Sequence, residues 1–396
     1  MNATPRPDIR VTPDIRVTVE HLGPSPSRAP QVVVAIPVKD EEDRIGLCLQ
    51  SLSAQINVDW DDIAVVLLLN NCVDGTLDRV RDFAPDAPFS LYVHSVDLPK
   101  SHSNAGWARR FAMDAALDLA RDDGVILTTD ADTIVEGAWI SANLEEISRG
   151  VEAVAGYVMA DPMELMELDP PILERGALEW EYQQLAAELV ARADAEVHDV
   201  WPRHNQNCGA SAAITAVAYR RIGGLPPKPV GEDRALFEAI RRTDGKIRHS
   251  LEVQVVTSAR TDGRALGGLS DAIRLRGDPD HPCDEALEVA VTTLRRALWR
   301  HELRQAWGLG RAEAQAAPWA RRLGIATAEF RRAVQQLCFG QAWAELEAVS
   351  PRLVRRLVTG AELKRELRRI RRLVESARAR ARVADQARAL RRRVAV

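Results

Sequence analysis

The amino-acid sequence predicts an α/β protein with a doubly wound, mostly parallel sheet and a C-terminal helical extension. Over much of its 396 residues, apolar runs rich in Val, Ile and Leu alternate with segments of helical periodicity, which is typical of parallel strands buried on both faces. After Asp284 the periodicity is helical almost throughout. An apolar fraction of 46% and a charged fraction of 28% are those of a globular protein and exclude disordered and collagen-like classes. No apolar run approaches the ~18 residues of a membrane-spanning helix.

The predicted elements follow one another in a regular order. Residues 1–30 contain the hexapeptide PDIRVT twice and then a Pro- and Ser-rich stretch, which predict an extended arm and a linker. The strands predicted next are QVVVAIPV, IAVVLLL, SLYVHSV, GVILTTD, VEAVAGYVMA and IRHSLEVQVVTSA. The helices predicted between them include one from Ile172 to Ala195 and one in GEDRALFEAIRRTDG, whose first residues are acidic.

This order predicts three regions. Residues 1–30 form the arm and linker. Residues 31–275 form the main α/β domain, with a first half at 31–135 and a second half at 136–275. Residues 276–396 form a helical region that ends in an Arg-rich tail.

The tail differs from the rest of the chain in charge. Residues 351–396 hold sixteen Arg or Lys and only four Asp or Glu, whereas the whole chain has a net charge of −4. A heptad seam runs along it, formed by Leu363, Leu367, Ile370, Val374, Ala377, Ala381 and Ala384. We expect a helix that docks on the acidic main domain or on a partner helix, with a homodimer through the C-terminal helices or a contact with anionic lipid as alternatives. Nucleic acid is not an expected partner, because the tail lacks aromatic residues for stacking on bases.

The cysteines and the N-terminus bear on the cellular compartment. The five cysteines are scattered and include no CxxC pair, so neither a disulfide framework nor a zinc site is indicated. The N-terminal MNATPRPDIR lacks a secretory apolar stretch. We expect a cytoplasmic protein without a transmembrane segment, with a peripheral membrane location as the alternative.

Candidate functional residues lie directly after the predicted strands, where open α/β sheets bind their ligands. Asp130 and Asp132 follow GVILTT, and two carboxylates one residue apart can share a hard divalent cation such as Mg²⁺ or Mn²⁺. The competing interpretation is a turn or helix cap. The sequence contains no GxGxxG, P-loop or GxSxG motif after a strand, which argues against a dehydrogenase, a P-loop enzyme or an α/β-hydrolase.

Six segments in order, IPVKDEE, NNCVDGT, SNAGWARR, TTDAD, CGASAAITAVAYRRIGG and GEDRAL, resemble the motifs of family 2 glycosyltransferases with the GT-A fold. The resemblance extends from about Gln31 to about Ala272 and is specific to the superfamily, not to a substrate. It implies that Asp130 and Asp132 hold the donor diphosphate through the metal. It also implies that Glu232 and Asp233 lie at the boundary of the acceptor site. The donor-binding residues that it adds are Pro37, Lys39, Glu41, Asn70, Asp74 and Asn104.

A general base is expected at the start of the helix in GEDRALFEAI. Inverting transfer needs a carboxylate that takes the proton of the acceptor hydroxyl, and Asp233, beside Glu232, is the candidate. The alternative is that both are first-turn acids favoured by the helix dipole. Trp201, His204 and Asn207 lie in a polar, aromatic segment that we expect to bind the acceptor.

Two departures from the family pattern leave details open. Family members commonly have acidic residues after the second strand, whereas this sequence has Asn70 and Asn71, so the choice between uracil and guanine is open. No histidine follows the last strand to complete a metal shell. Arg260 and Arg264 are expected to close over the diphosphate instead, or else to lie in a solvated loop.

The function expected from the sequence is therefore a metal-dependent, inverting glycosyltransferase. It moves a hexose from a UDP- or GDP-hexose to a soluble small-molecule or glycan acceptor. Two alternatives remain: a nucleotidyltransferase with the same fold, and a non-catalytic scaffold that binds nucleotide sugars.

Overall fold

A computed structural model of the chain describes residues 15–264, 267–284 and 286–394. The first PDIRVT copy at 7–12 lies outside the described residues, as does the side chain of Ala384. The contacts divide the described chain into two compact units. The sheet unit comprises the residues up to 167 together with 206–272, and the helical unit comprises 168–205 together with the residues from 273 onward. Residues 168–205 thus group with the C-terminal helices, although the sequence analysis assigned them to the second half of the main domain.

The sheet unit is built on a nine-stranded sheet in the described residues. The strands are β1 (Arg16–Leu22), β2 (Val32–Val38), β3 (Ile63–Asn70), β4 (Ser90–Asp97), β5 (Val125–Thr128), β6 (Thr133–Val135), β7 (Ala153–Ala160), β8 (Ala212–Thr215) and β9 (Ile247–Thr257). Their order across the sheet is β1-β4-β3-β2-β5-β8-β7-β9-β6. The pairings β2·β3, β2·β5, β3·β4 and β7·β9 are parallel, and the other four are antiparallel.

The helices follow the chain in fourteen segments of the described residues. They are α1 (Ile45–Ser53), α2 (Thr76–Phe83), α3 (Ala105–Leu119), α4 (Trp139–Ser148), α5 (Pro162–Leu165), α6 (Pro170–Ala193), α7 (Ala216–Arg221), α8 (Glu232–Arg242), α9 (Leu269–Leu275), α10 (Ala290–Gly308), α11 (Ala316–Leu323), α12 (Thr327–Val334), α13 (Phe339–Val349) and α14 (Gly360–Val394).

Helices cover both faces of the sheet. Along β2, the side chains of Val32, Val34 and Ile36 enter one hydrophobic cluster, which also holds residues of α1, α2 and α4. Val33 and Ala35 point the other way into a second cluster with residues of α3, α7 and α8. The predicted α/β class with C-terminal helices is therefore confirmed. The sheet is mixed rather than mostly parallel, with four parallel and four antiparallel pairings among the described strands. The short strands β6 and β8 pair antiparallel with their neighbours.

Parallel pairing brings three loops to one edge of the sheet. Val38 pairs with Leu69, and Ala35 pairs with Thr128, so β2, β3 and β5 run in the same direction side by side. Their carboxyl ends lead into the segments 39–44, 71–75 and 129–132. This edge carries most of the acidic and amide residues singled out in the sequence.

In the helical unit, α6 and α14 pack in parallel. Glu174, Glu181 and Glu188 of α6 pair with Lys364, Arg371 and Arg378 of α14 at 2.6, 2.8 and 2.6 Å, so both helices advance by seven residues between contacts. Four seam residues are buried against Tyr182, Ala186 and Leu189 of α6: Leu363, Leu367, Ile370 and Val374. The predicted heptad seam therefore packs on a helix of its own chain.

A second cluster in the same unit holds α10 to α13 together. Trp319 stacks on Phe330, and the guanidinium of Arg322 lies 4.9 Å from the Trp319 ring and 4.8 Å from the ring of Trp299. Among the described residues, none of the helices has the length and apolar character needed to cross a membrane.

Candidate active site

Asp130 and Asp132 follow β5 at the edge just described, and each contacts an arginine. Nη2 of Arg109 donates to Oδ1 of Asp130 at 2.5 Å, and Nη2 of Arg260 lies 3.1 Å from Oδ2 of Asp132. Burial, together with the negative charge of Asp130, raises the pKa of Asp132 to about 6. A nearby positive charge therefore favours the ionised form of Asp132.

Arg260 reaches this edge from the loop after β9. Its Nη1 donates to Oε2 of the buried Glu41 at 2.9 Å, and its Nη2 contacts the other carboxylate oxygen. The hydrogen bond to Glu41 raises the pKa of Arg260. Arg264 makes a weaker link, with Nε donating to the backbone carbonyl of Asp40 at 3.1 Å. Both predicted arginines therefore contact the loop after β2.

Lys39 and Asp74 hold the loops after β2 and β3 in place. Nζ of Lys39 lies 2.9 Å from the carboxylate of Asp40 and also contacts the carbonyl oxygen of Asn71. Asp74 accepts hydrogen bonds from the backbone N–H groups of Thr76 and Glu42, both at 3.1 Å. Burial alone would raise the pKa of Asp74, but the hydrogen bond from the hydroxyl of Thr76, together with these N–H bonds, lowers it overall. Pro37 lies within β2, where it pairs with Leu68.

The asparagines of the site differ in their hydrogen bonding. Asn71 is bonded to Leu98 in both directions, with Nδ2 donating to the carbonyl and Oδ1 accepting from the N–H, each at 3.1 Å. Asn104 caps α3 by accepting from the N–H of Trp107 at 3.1 Å. By contrast, Oδ1 of Asn70 is buried with no hydrogen-bond partner in the described part of the chain. Asn70 therefore holds an acceptor that a ligand N–H could satisfy.

Glu232 and Asp233 begin α8 after Gly231, whose φ of 73° places it in the left-handed region. The carboxylate of Glu232 accepts from Nε of Arg109 at 3.2 Å, and burial raises its pKa. Asp233 accepts from the N–H of Gly209 at 3.2 Å and from the N–H of Arg234 at 2.7 Å. The two acids therefore have different hydrogen-bond donors: Glu232 accepts from an arginine, and Asp233 accepts from two backbone N–H groups.

Arg109 is the site residue that the sequence analysis missed. It lies in α3, within the quoted SNAGWARR segment, and its guanidinium is buried. Besides Asp130 and Glu232 it donates to Oγ1 of Thr128 at 2.9 Å and to the carbonyl of Gly209 at 3.1 Å. Burial would lower the pKa of Arg109, but the two carboxylates raise it above its ordinary value. The sequence signal that could have identified Arg109 is a pair of arginines among the mostly apolar residues of this helix.

The predicted acceptor residues do not fall in one unit. Trp201 and His204 belong to the helical unit, where His204 is buried, and Asn207 belongs to the sheet unit. Oδ1 of Asn207 accepts from Nη2 of Arg241 at 3.2 Å and lies 3.4 Å from Nε2 of His249. Their role in acceptor binding stays a prediction.

Comparison with known proteins gives a family match that covers residues of the sheet unit up to 167 and residues 168–201 of the helical unit. Residues 33–201 match the family model described as glycosyl transferase family 2. These residues form a family 2 glycosyl transferase domain. The resemblance carried by the sequence motifs is thereby confirmed, and the chain is a glycosyltransferase that uses a nucleotide sugar.

Solved structures give more distant likenesses to this glycosyltransferase. The mannosyltransferase PcManGT from Pyrobaculum calidifontis, solved with GDP-Man and Mn²⁺, is 18% identical with a TM-score of 0.40, covering 94% of this chain and 82% of that one. S. aureus TarS 1-349 with UDP is 13% identical with a TM-score of 0.42, covering 80% and 90%. A mycobacterial protein is 20% identical with a TM-score of 0.37, covering 64% and 77%. A search of curated protein sequences finds no match.

Proposed function

We propose that this glycosyltransferase is metal-dependent and inverting, and that it moves a hexose from a nucleoside diphosphate sugar to a soluble or small acceptor. The observation that carries the proposal is a connected set of contacts. Arg109 bonds Asp130 and the carbonyl of Gly209, and the N–H of Gly209 bonds Asp233. An acid suited to the donor phosphates and an acid suited to base catalysis are thus parts of one network.

Asp130 and Asp132 are the residues that would hold the divalent cation. In the described part of the chain no group of three or more His, Cys, Asp or Glu side chains could hold a metal, so the diphosphate and water would supply the other ligands. The pair fits a cation, since burial and the like charge of Asp130 raise the pKa of Asp132 and a guanidinium already lies beside that carboxylate. When bound, Mg²⁺ or Mn²⁺ neutralises the leaving diphosphate.

Asp233 is better suited than Glu232 to act as the base. The carboxylate of Glu232 is engaged in an ion pair with Arg109, whereas the hydrogen bonds that Asp233 accepts in the described part of the chain come from backbone N–H groups. In the proposed step Asp233 takes the proton of the acceptor hydroxyl. The hydroxyl oxygen bonds to the anomeric carbon, and the bond to the diphosphate oxygen breaks on the opposite face, so the configuration inverts.

Asn70 supports a donor whose base carries an N–H group. Its buried Oδ1 lies at the carboxyl end of β3 and has no partner in the residues described. Uracil and guanine both present ring N–H donors that could satisfy this oxygen, so UDP- and GDP-hexoses are the proposed donors.

The two alternative functions receive less support. A nucleotidyltransferase needs cationic side chains directed at a triphosphate, but Lys39 is engaged by Asp40 and by the carbonyl of Asn71. A scaffold without catalytic activity would not require the links among Asp130, Arg109 and Asp233.

A thermal-shift screen tests the proposal. Purified full-length protein is melted with UDP- and GDP-hexoses, each with and without Mn²⁺, and an Asp132→Asn variant is the control. A metal-dependent rise in melting temperature with at least one donor, absent in the variant, is the expected result. NMR of the sugar released or transferred should then show an inverted anomeric centre. Stabilisation that is equal in EDTA contradicts the metal-dependent form, and a retained configuration contradicts inversion.

A further inference from the structure

We propose that Arg109 is a positioning residue, which fixes the donor-side acid Asp130 and the base Asp233 relative to each other. The inference rests on the proposed function and adds a residue to it. Arg109 acts through the carboxylate of Asp130 and through the backbone of Gly209.

The guanidinium of Arg109 connects three separate segments of the sheet unit. It bonds Thr128 and Asp130 at and after the end of β5, Gly209 before β8, and Glu232 at the start of α8. A planar guanidinium presents five N–H donors in a fixed fork. Four partners at these distances therefore fix the orientation of the guanidinium, and the guanidinium fixes the positions of the partners relative to one another. A lysine ammonium at this position could keep the charge but not these directions.

Gly209 fits this arrangement closely. A Cβ atom at this residue would lie 2.5 Å from Cζ of Arg109, which is too close for two carbon atoms. The carbonyl of Gly209 accepts from Arg109 at 3.1 Å, and its N–H donates to Oδ2 of Asp233 at 3.2 Å. A shift of the guanidinium would therefore move the backbone that orients Asp233.

Charge gives Arg109 a second effect on the site. Its guanidinium lies between two carboxylates, with Nη2 2.5 Å from Asp130 and Nε 3.2 Å from Glu232. Because like charges repel at short range, a cation between Asp130 and Glu232 reduces the repulsion between them. In the described part of the chain, Asp233 accepts hydrogen bonds from the backbone N–H groups of Gly209 and Arg234.

Arg110 is a matched control on the same helix. The side chains of Arg109 and Arg110 are each 6% exposed. Arg110 pairs with Asp114 at 2.6 Å and donates to the carbonyl of Leu225 at 2.8 Å, and neither partner belongs to the candidate site. Replacing either arginine by lysine therefore removes buried hydrogen bonds, up to four at Arg109 and two at Arg110.

The experiment compares wild type, Arg109→Lys, Arg110→Lys and Gly209→Ala as full-length proteins. Three quantities are measured: the melting temperature, binding of UDP and GDP with Mn²⁺ by calorimetry, and kcat and KM for donor hydrolysis with water as acceptor. For Arg109→Lys we expect kcat to fall on the order of 10²-fold, because small misplacements of reacting groups cost that much. The donor KM and the nucleotide Kd should rise by a smaller factor. Gly209→Ala should lower kcat in the same way.

The control decides between positioning and plain structural support. Arg110→Lys should also lower the melting temperature, while kcat and KM stay near those of wild type. The inference is overturned if Arg109→Lys keeps wild-type kcat and KM, or if Arg110→Lys loses as much kcat as Arg109→Lys. Either result leaves the proposed function standing. A wild-type protein that neither binds these nucleotides nor hydrolyses any donor overturns the proposed function, and the inference falls with it.

Discussion

Arg260 and Glu41 form a two-pronged ion pair that joins the loop after β9 to the loop after β2. The same guanidinium lies 3.1 Å from the carboxylate of Asp132. A donor diphosphate at this edge would meet Arg260 beside the two acids that we assign to the metal. A buried carboxylate thus holds the arginine at the place that we propose for the donor phosphates.

Arg260→Gln should weaken donor binding and lower stability. The substitution removes charge-assisted hydrogen bonds, each of which is worth about 1.5–3 kcal/mol, so the Kd for UDP or GDP should rise roughly tenfold or more. It also leaves the buried Glu41 without its ion-pair partner. Arg264→Gln is the control, since the contact of Arg264 is one bond to a backbone carbonyl, and its effect on calorimetric Kd should be smaller. Equal effects of the two substitutions would contradict this role.

Removal of the metal, or of one of its carboxylates, should prevent donor binding. A diphosphate and the pair Asp130 and Asp132 repel unless a divalent cation lies between them. Asp132→Ala should therefore abolish Mn²⁺-dependent binding of UDP or GDP in calorimetry and most donor hydrolysis, with the circular dichroism spectrum unchanged. EDTA-treated wild type should behave like the variant. Undiminished turnover in EDTA would show that these acids are not metal ligands.

Asp233→Asn should separate catalysis from donor binding. The amide preserves size but can accept only one of the two backbone N–H bonds of Asp233, and it cannot take a proton, so kcat should fall by ~10²–10⁴-fold with donor affinity near that of wild type. Glu232→Gln is informative beside it, because the ion pair of Glu232 with Arg109 predicts a smaller fall. Activity is followed by release of UDP or GDP. A variant Asp233→Asn as active as wild type would leave Asp233 as a helix-terminal residue only.

Ion pairs between α6 and α14 should make stability depend on pH. The hydrogen bond from Arg378 holds the pKa of Glu188 below its ordinary value. A lowered pKa in the folded state gives stability that is present above the unfolded pKa of about 4.3 and is lost as the pH falls through the folded value. Glu188→Gln should thus lower the midpoint of urea unfolding at pH 7, and its difference from wild type should shrink toward pH 3.

The matched control for this pH effect is Glu174→Gln at the other end of the same row. The side chain of Glu174 is 64% exposed, compared with 3% for Glu188, so solvent screens its ion pair with Lys364. Glu174→Gln should therefore change the midpoint of urea unfolding little at either pH. A pH-independent difference between Glu188→Gln and wild type would show that packing, not charge, explains the loss.

Deleting residues 351–396 should destabilise the helical unit but spare intrinsic transfer to a small acceptor. The deletion removes the buried Leu363, Leu367, Ile370 and Val374, and exposes apolar side chains of α6. Thermal melts and analytical ultracentrifugation of full-length and truncated protein measure the effect. An unchanged melting temperature together with an unchanged oligomeric state would contradict it.

Much of the sheet could be predicted from sequence because its central strands are long and apolar. Every residue of β3 is buried, and such a run has few other places in a globular fold. In contrast, β6 has three residues and β8 has four, and their antiparallel pairing depends on strands that are distant in the sequence. Short strands of this kind have too little periodicity to be predicted.

The site could be predicted only where position along a strand carried the information. Asp130 and Asp132 were identified because they follow a strand, and Asp233 because it opens a helix. Arg109 was not, since its four partners come from other segments and arginine is abundant throughout this chain. The unpartnered oxygen of Asn70 is likewise a property of the folded surroundings and not of the residue type.

The parallel arrangement of α6 and α14 has a consequence for how the chain folds. Their matched ion pairs join residues 190 positions apart, so α6 is synthesised long before the helix that covers it. Until the ribosome has made α14, Tyr182 and Leu189 lack part of their cover and are open to chaperones and to aggregation. Because the cost of closing a loop grows only with the logarithm of its length, this separation slows folding more than it weakens the final structure. Packing of α14 on α6 is therefore a late step in the folding of the helical unit.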